Sequence, residues 1–140
     1  MNQDFVSLVK ELDTYLKVTD GEEHEFYNQF NGIEKLNHCI VAYLENQPVG
    51  CGAFKKYDAV SIEIKRMYLK PNHRGSGIAF KILNSLEIWA KEMDKKRAVL
   101  ETGKRQVEAL KFYQKSGYQN IPNYGQYIGM DNSQCFEKIL

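Results

Sequence analysis

The chain has 140 residues, 43% hydrophobic and 26% charged, with a formal net charge of +1. That length argues for one domain, residues 1–140, able to bury roughly 68% of its unfolded surface without staples. The near-neutral balance excludes a global pull toward nucleic acid or an anionic membrane, and no apolar run reaches membrane-spanning length.

In chain order, Phe5, Leu8, Val9, Leu12 and Leu16 recur at helical spacing, with Asn2 or Asp4 placed to cap the helix. Asp20-Gly21 reads as a turn, and Asp20 with Glu23 as a capping box opening a second helix to about Phe30, stopped by Asn31-Gly32. "HCIVAYL" (38–44) and "VGCGAFKKY" (49–57) read as a hairpin, with Gly50 and Gly52 marking a bend or a close neighbour. "VSIEIKRMYL" (60–69) is a β-branched, alternating strand.

After it, Ala79, Ile82, Leu83, Leu86, Ala90 and Met93 line one face of a helix of about 17 residues. "RAVLET" (97–102) is the next strand, so 60–69 and 97–102 are expected to be parallel, joined by a right-handed crossover. Val107, Leu110 and Tyr113 or Phe112 mark a further helix ending at Gly117. "YQNIP" (118–122) and "SQCFEKI" (133–139) close the chain as an antiparallel pair joined by "NYGQYIGMDN". One βαβ unit among antiparallel strands implies a mixed α/β sandwich, not a doubly wound sheet.

Cys39, Cys51 and Cys135 are dispersed, each in an apolar stretch, and read as buried free thiols rather than a disulfide framework or a zinc site. No metal is expected. The first residues lack a basic-then-apolar signal, so a soluble cytoplasmic protein is expected.

The specific stretch is "YLKPNHRGSGIAFKIL" (68–83), a strand end, a glycine loop and a helix start. A Walker A loop needs Lys-Ser/Thr after its last glycine, and none is present. A dinucleotide fingerprint needs a small residue at position 80, where Phe80 stands. What remains is Arg74-Gly75-Ser76-Gly77-Ile78-Ala79. Backbone N–H groups at such a loop and in the first helical turn converge on an anion, and the helix dipole and Arg74 favour its charge.

This loop resembles the acyl-coenzyme A loop of the GNAT superfamily of N-acetyltransferases, Gln/Arg-x-x-Gly-x-Gly/Ala. "EALKFYQKSGY" (108–118) resembles that family's second signature, and falls one strand and one helix later, as in the family. The resemblance covers roughly residues 38–140. It departs from the family at the N-terminus, where the usual first strand is missing, and at Gln106, where many members carry Asn.

The resemblance implies a mixed, mostly antiparallel sheet with splayed parallel central strands and flanking helices. It implies acetyl-CoA as co-substrate and direct acyl transfer to an amine in a ternary complex. Residues 67–69 (Met67, Tyr68, Leu69) would face the pantetheine arm, with the Met67 N–H polarising the thioester oxygen. Arg74, Gly75, Ser76, Gly77, Ile78 and Ala79 would hold the pyrophosphate, with Gln106 and Tyr113 also at the cofactor. Tyr113 stands where the family places its general acid; by pattern alone it is an ordinary helix aromatic. A phenol of pKa ~10 can protonate a departing thiolate of pKa ~8.5 when hydrogen-bonded in place.

Glu63, inside an apolar strand, is the candidate base, the other reading being a pair with Lys65 or Arg66 on an exposed sheet face. His24 and His38 rank below it. Segments 20–31 and 121–132 mix aromatics with amides, which suits a small enclosed acceptor site with Tyr27, Phe30, Asn31 and Tyr124 in contact. Acidic Glu22, Glu23 and Glu25 would draw a cationic amine to its mouth or simply solvate a helix end. A small-molecule amine is therefore the expected partner. The alternatives are a protein or peptide amine, or a non-catalytic acyl-CoA-binding module. A homodimer stays open.

Overall fold

A computed structural model describes residues 2–20 and 36–140. The expected second helix, its capping box beyond Asp20, His24, the acidic Glu22, Glu23 and Glu25, and the acceptor contacts Tyr27, Phe30 and Asn31 lie outside the described residues.

The described elements are helices α1 (Gln3–Asp20), α2 (Ile78–Glu92) and α3 (Val107–Lys115), and strands β1 (His38–Leu44), β2 (Gln47–Lys56), β3 (Ser61–Leu69), β4 (Arg97–Gly103), β5 (Gln119–Ile121) and β6 (Ser133–Ile139). They form one six-stranded sheet in the order β1-β2-β3-β4-β6-β5. β3 and β4 are its parallel pair; the other neighbours are antiparallel. This is the expected mixed α/β architecture with a parallel centre.

Helix α1 starts where the Asn2 side chain accepts the Phe5 N–H at 3.0 Å, so Asn2 is the cap, worth about 1 kcal/mol. Asp4 instead accepts the Tyr43 hydroxyl. The helix runs through Asp20, past the expected turn. Its apolar stripe, Phe5, Leu8, Val9 and Leu12, packs on one sheet face against Leu36, Cys51, Ala53 and Tyr68.

The other face is covered by α2 and α3. Ile82, Leu83, Leu86 and Ala90 of α2 bury against Phe54, Ile62 and Ile64, with Ala98, Leu100 and Phe136 behind them. The layers are α1, sheet, and α2 with α3. Helix α2 is shorter than expected: Met93 is its C-cap and is 39% exposed, because the chain turns at Asp94, φ 62°. Val107 is also exposed, while Tyr113 takes the buried position of its helix and Phe112 only partly. Cys51 and Cys135 are buried and free as expected, but Cys39 is only half-buried, lying toward the edge of the sheet on β1.

The close approach signalled by glycine in β2 is real. A Cβ on Gly52 would sit 2.5 Å from the Met67 sulfur and 2.9 Å from Ile82. Gly52 faces a bulge: β2 pairs Cys51 with Tyr68 but Ala53 with Lys65, leaving Arg66 and Met67 opposite one residue. Arg66 lies at φ 57°, a costly conformation for a residue with a Cβ. Its guanidinium is held by Asp13 of α1.

Candidate active site

The β3–β4 ladder is short. Ser61, Ile62 and Glu63 pair with Arg97, Ala98 and Val99, and there the pairing ends. β4 stays bound to β6 through Gly103, and β3 to β2 through Leu69. The two strands therefore part in the middle of an otherwise continuous sheet. Because the gap passes through the sheet, it has walls from both layers.

Two cavities fill that gap. One of about 110 Å³ is lined by Leu12 and Leu16 of α1, residues 64–67 of β3, residues 101–103 of β4, and Gln106, Ala109 and Tyr113. The other, of about 400 Å³, runs past Met67, Tyr68 and Leu69 to Arg74, Gly75 and Ala79, with Tyr15 on one wall and α3 on the other. Leu12, Met67, Gln106, Ala109 and Tyr113 border both. Of the expected cofactor-side residues, the structure gathers Met67, Tyr68, Leu69, Arg74, Gly75, Ala79, Gln106 and Tyr113 on the larger cavity.

At its far end stands the glycine loop. Gly75 and Gly77 lie at φ 82° and 84°, and a Cβ on either would meet nothing within 4 Å. The glycines answer a backbone need, and the space before them is open. Gly77 is the N-cap of α2 and no side chain caps the helix. The first intrahelical bond is donated by Lys81 to Gly77, so earlier N–H groups at Ile78 to Phe80 lack an intrahelical acceptor. Ser76 instead donates its hydroxyl to the His73 carbonyl. Arg74 donates from Nε to the Leu69 carbonyl at 3.1 Å and lies 5.7 Å over the Tyr15 ring, so it occupies an oxygen expected to face the pantetheine.

Tyr113 is positioned by its own local sequence. Gly117, at φ 94°, ends α3, its N–H bonding to Gln114 and the Tyr118 N–H to Tyr113. That paired pattern is the Schellman stop, which brings the residue after glycine onto the last turn. Tyr118 accordingly packs edge-on against Tyr113 at 5.8 Å. Burial, then the charge of Glu101, holds the Tyr113 phenol well above its usual range, so it keeps its proton.

The chain matches the Acetyltransferase (GNAT) family over residues 5–118. It belongs to the GNAT acetyltransferases. Among GNAT relatives, it is 30% identical to an IAA acetyltransferase of Azospirillum brasilense, over 96% of this chain and 90% of that one. A crystal structure from Klebsiella pneumoniae named for acyl-CoA N-acyltransferase superposes with a TM-score of 0.83 at 28% identity, covering 100% of this chain and 92% of that one. A Bacillus anthracis structure named for streptothricin acetyltransferase, in complex with acetyl coenzyme A, gives 0.62 at 25% identity, covering 73% and 60%. As a GNAT enzyme the protein uses acetyl-CoA for acyl transfer, and its open, uncapped glycine loop and long cleft fit that molecule's phosphates and arm.

On the α1 side of the sheet the residues beside the gap turn polar. Glu63 is 2% exposed, accepts the Tyr124 hydroxyl at 2.6 Å, and lies 3.6 Å from Lys65 and 3.8 Å from Lys55. The pair with Lys65 exists, but it is buried rather than on an exposed face. Glu63 belongs to the zipped part of the ladder and lines neither of the two cavities. Tyr124 reaches Glu63 and stacks edge-on with Tyr57 and Tyr127. Lys65 donates to the Tyr127 hydroxyl at 3.1 Å. Glu101 accepts the Ser133 hydroxyl at 2.8 Å and does line the smaller cavity.

Glu101 was not among the sequence candidates, and Lys65 entered only as a pairing partner for Glu63; the first helix, expected by resemblance to border the acceptor side, does supply Leu12 and Leu16 to the smaller cavity. A signal for Glu101 was present: like Glu63, it interrupts an apolar strand. Among the described residues, no three His, Cys, Asp or Glu side chains gather as a metal site, and no helix is long and apolar enough to cross a membrane.

Proposed function

We propose that the protein transfers the acetyl group of acetyl-CoA to the primary amine of a small molecule, by direct attack within a ternary complex. The observation that carries this reading is the pair of cavities meeting at Tyr113: a long one ending at the glycine loop and a small polar one beyond it. The small volume, with α1 across it, favours a compact acceptor over a protein chain.

Acetyl-CoA supplies an activated thioester; the amine nitrogen bonds to its carbonyl carbon, the carbon–sulfur bond breaks, and the amine's proton is lost while the sulfur gains one. The N–H groups of the glycine loop and the first turn of α2, with Gly75, Ser76, Gly77, Ile78 and Ala79, hold the phosphates. β3 beyond Glu63 has no strand partner on its β4 side, so Met67 and its neighbours present a strand edge to the arm. Tyr113 donates a proton to the departing sulfur; burial makes the phenol a weaker acid, and the same burial makes a thiolate released beside it a stronger base, which keeps the transfer feasible. On the acceptor side, Glu101 takes the amine's proton, and Glu63 positions Lys65 and Tyr124 from behind.

The test is thiol release from acetyl-CoA with a library of small amines, lysine peptides and protein N-termini, with products identified by mass spectrometry. Efficient acetylation of small amines supports the reading. Acetylation confined to peptides, or binding of acetyl-CoA without any transfer, overturns it.

A further inference from the structure

We infer that the acceptor is an amine that carries its own carboxylate, its nitrogen received by Glu101 and its carboxylate by Lys65. The inference rests on the small-amine reading above and names the substrate class for that site.

The register sets the two residues against one another. The last ladder pair is Glu63 with Val99; two residues on, on the same sheet face, the same register sets Lys65 against Glu101 where the strands have begun to part. Paired strands lie about 4.8 Å apart, and a parting pair lies farther. Opposite charges across such a gap suit a ligand whose own charges are separated by a few bonds. Both side chains line the smaller cavity, beside Tyr113.

Each charge is braced. Lys65 is 8% exposed, donates to the Tyr127 hydroxyl at 3.1 Å and faces Glu63 at 3.6 Å, while Ser133 donates to Glu101 at 2.8 Å. Preorganised side chains lose little freedom when a ligand arrives. Burial lowers the Lys65 pKa, while Glu63 and Glu101 oppose that effect; a bound carboxylate acts in the same sense as the two glutamates.

The charge balance among the described residues disfavours simpler ligands. Lys55, Lys65, Glu63 and Glu101 sum to zero, and Arg66 is paired with Asp13. A bare alkylammonium in this cavity would meet Lys65 and Arg66 as well as Glu101, and a buried charge without compensation is costly. A zwitterion leaves the sum at zero and satisfies both ends.

The experiment compares matched triplets with the full chain: α-amino acids, the amines left by removing their carboxylate, and their amides, alongside lysine peptides. Thiol release is the readout. The amino acids should exceed their matched amines and amides by on the order of tenfold to a hundredfold in kcat/KM. Lys65→Met should lower the rate for the amino acids far more than for the matched amines, erasing that ratio, and Lys65→Arg should restore part of it. The rise in Tm with acetyl-CoA reports whether each variant keeps its fold and cofactor site. Should Lys65→Met not fold, the triplets with the unaltered chain and with Lys65→Arg still decide. Amines or amides used as well as the acids would overturn this inference and leave the small-amine reading standing. Acetylation confined to peptides, or none with any acceptor, would overturn both.

Discussion

β3 and β4 are two different structures end to end. In the first half, Ser61, Ile62 and Glu63 lie zipped to Arg97, Ala98 and Val99, and all three β3 residues are at most 2% exposed. In the second half the same strands part, β3 bulges at Arg66 and Met67, and the opening becomes the walls of both cavities. The zipped half satisfies its backbone within the sheet. The parted half leaves a strand edge for a ligand. A sheet can thus hold a site in its middle, provided each strand keeps its outer partner, as β2 and β6 serve here.

The largest expected effect tests whether the parted half leads to an anion site. Gly77→Glu should abolish the acetyl-CoA-induced rise in Tm, because it places a carboxylate where the loop faces phosphate, at a φ of 84° that disfavours any side chain. Gly77→Ala separates the two causes, costing about 1–2 kcal/mol of backbone strain without the charge. An undiminished shift in Gly77→Glu would place the phosphates elsewhere.

Next is Tyr113→Phe, expected to lower kcat by about 10²-fold or more while leaving the Kd for acetyl-CoA close to unchanged. Steady-state kinetics with calorimetric binding measures both. A rise in Kd with kcat preserved would make Tyr113 a wall and not an acid.

The third pits the two halves directly. Glu101→Gln, in the parted half, should reduce kcat more than Glu63→Gln, in the zipped half, by on the order of tenfold. The reverse order would return the base to Glu63.

Gly52→Ala sharpens the comparison from the other side, since its Cβ would collide with Met67 across the bulge. It should cost about 1–3 kcal/mol in denaturant unfolding and raise KM for acetyl-CoA by displacing Met67. A loss of stability with KM unchanged would uncouple the bulge from the cleft.

The smallest effect at neutral pH, growing only in alkali, concerns the packed interior. Burial is the main cause raising the Cys51 thiol from 9.0 to about 12. Below pH 9 both the folded and unfolded chains hold this proton, and the contribution is constant. From pH 9 to about 12 the unfolded chain sheds it first, so stability should fall there by up to about 1.4 kcal/mol per pH unit from this group. The alkaline slope of unfolding free energy should be shallower in Cys51→Ala than in the parent, and equal slopes would assign it to other groups.

The sequence alone carried the order of the described elements, the parallel pair and the glycine loop, because each depends on local chemistry: apolar period, glycine at positive φ, a helix stop. Gly75, Gly77 and Gly117 are legible for that reason; Tyr113, by pattern an ordinary helix aromatic, was marked only by the family resemblance, and the Gly117-Tyr118 stop holds it in place. Glu63 was legible as a buried carboxylate, but its role depends on where the ladder ends, and hydrogen-bond register between distant strands leaves no local mark. The same holds for Glu101 against Lys65, for the Arg66 bulge, and for α1 closing the cavity with Leu12 and Leu16. Those contacts join residues tens of positions apart. Only the tertiary structure decides which side chains face one another across a gap that no single strand encodes.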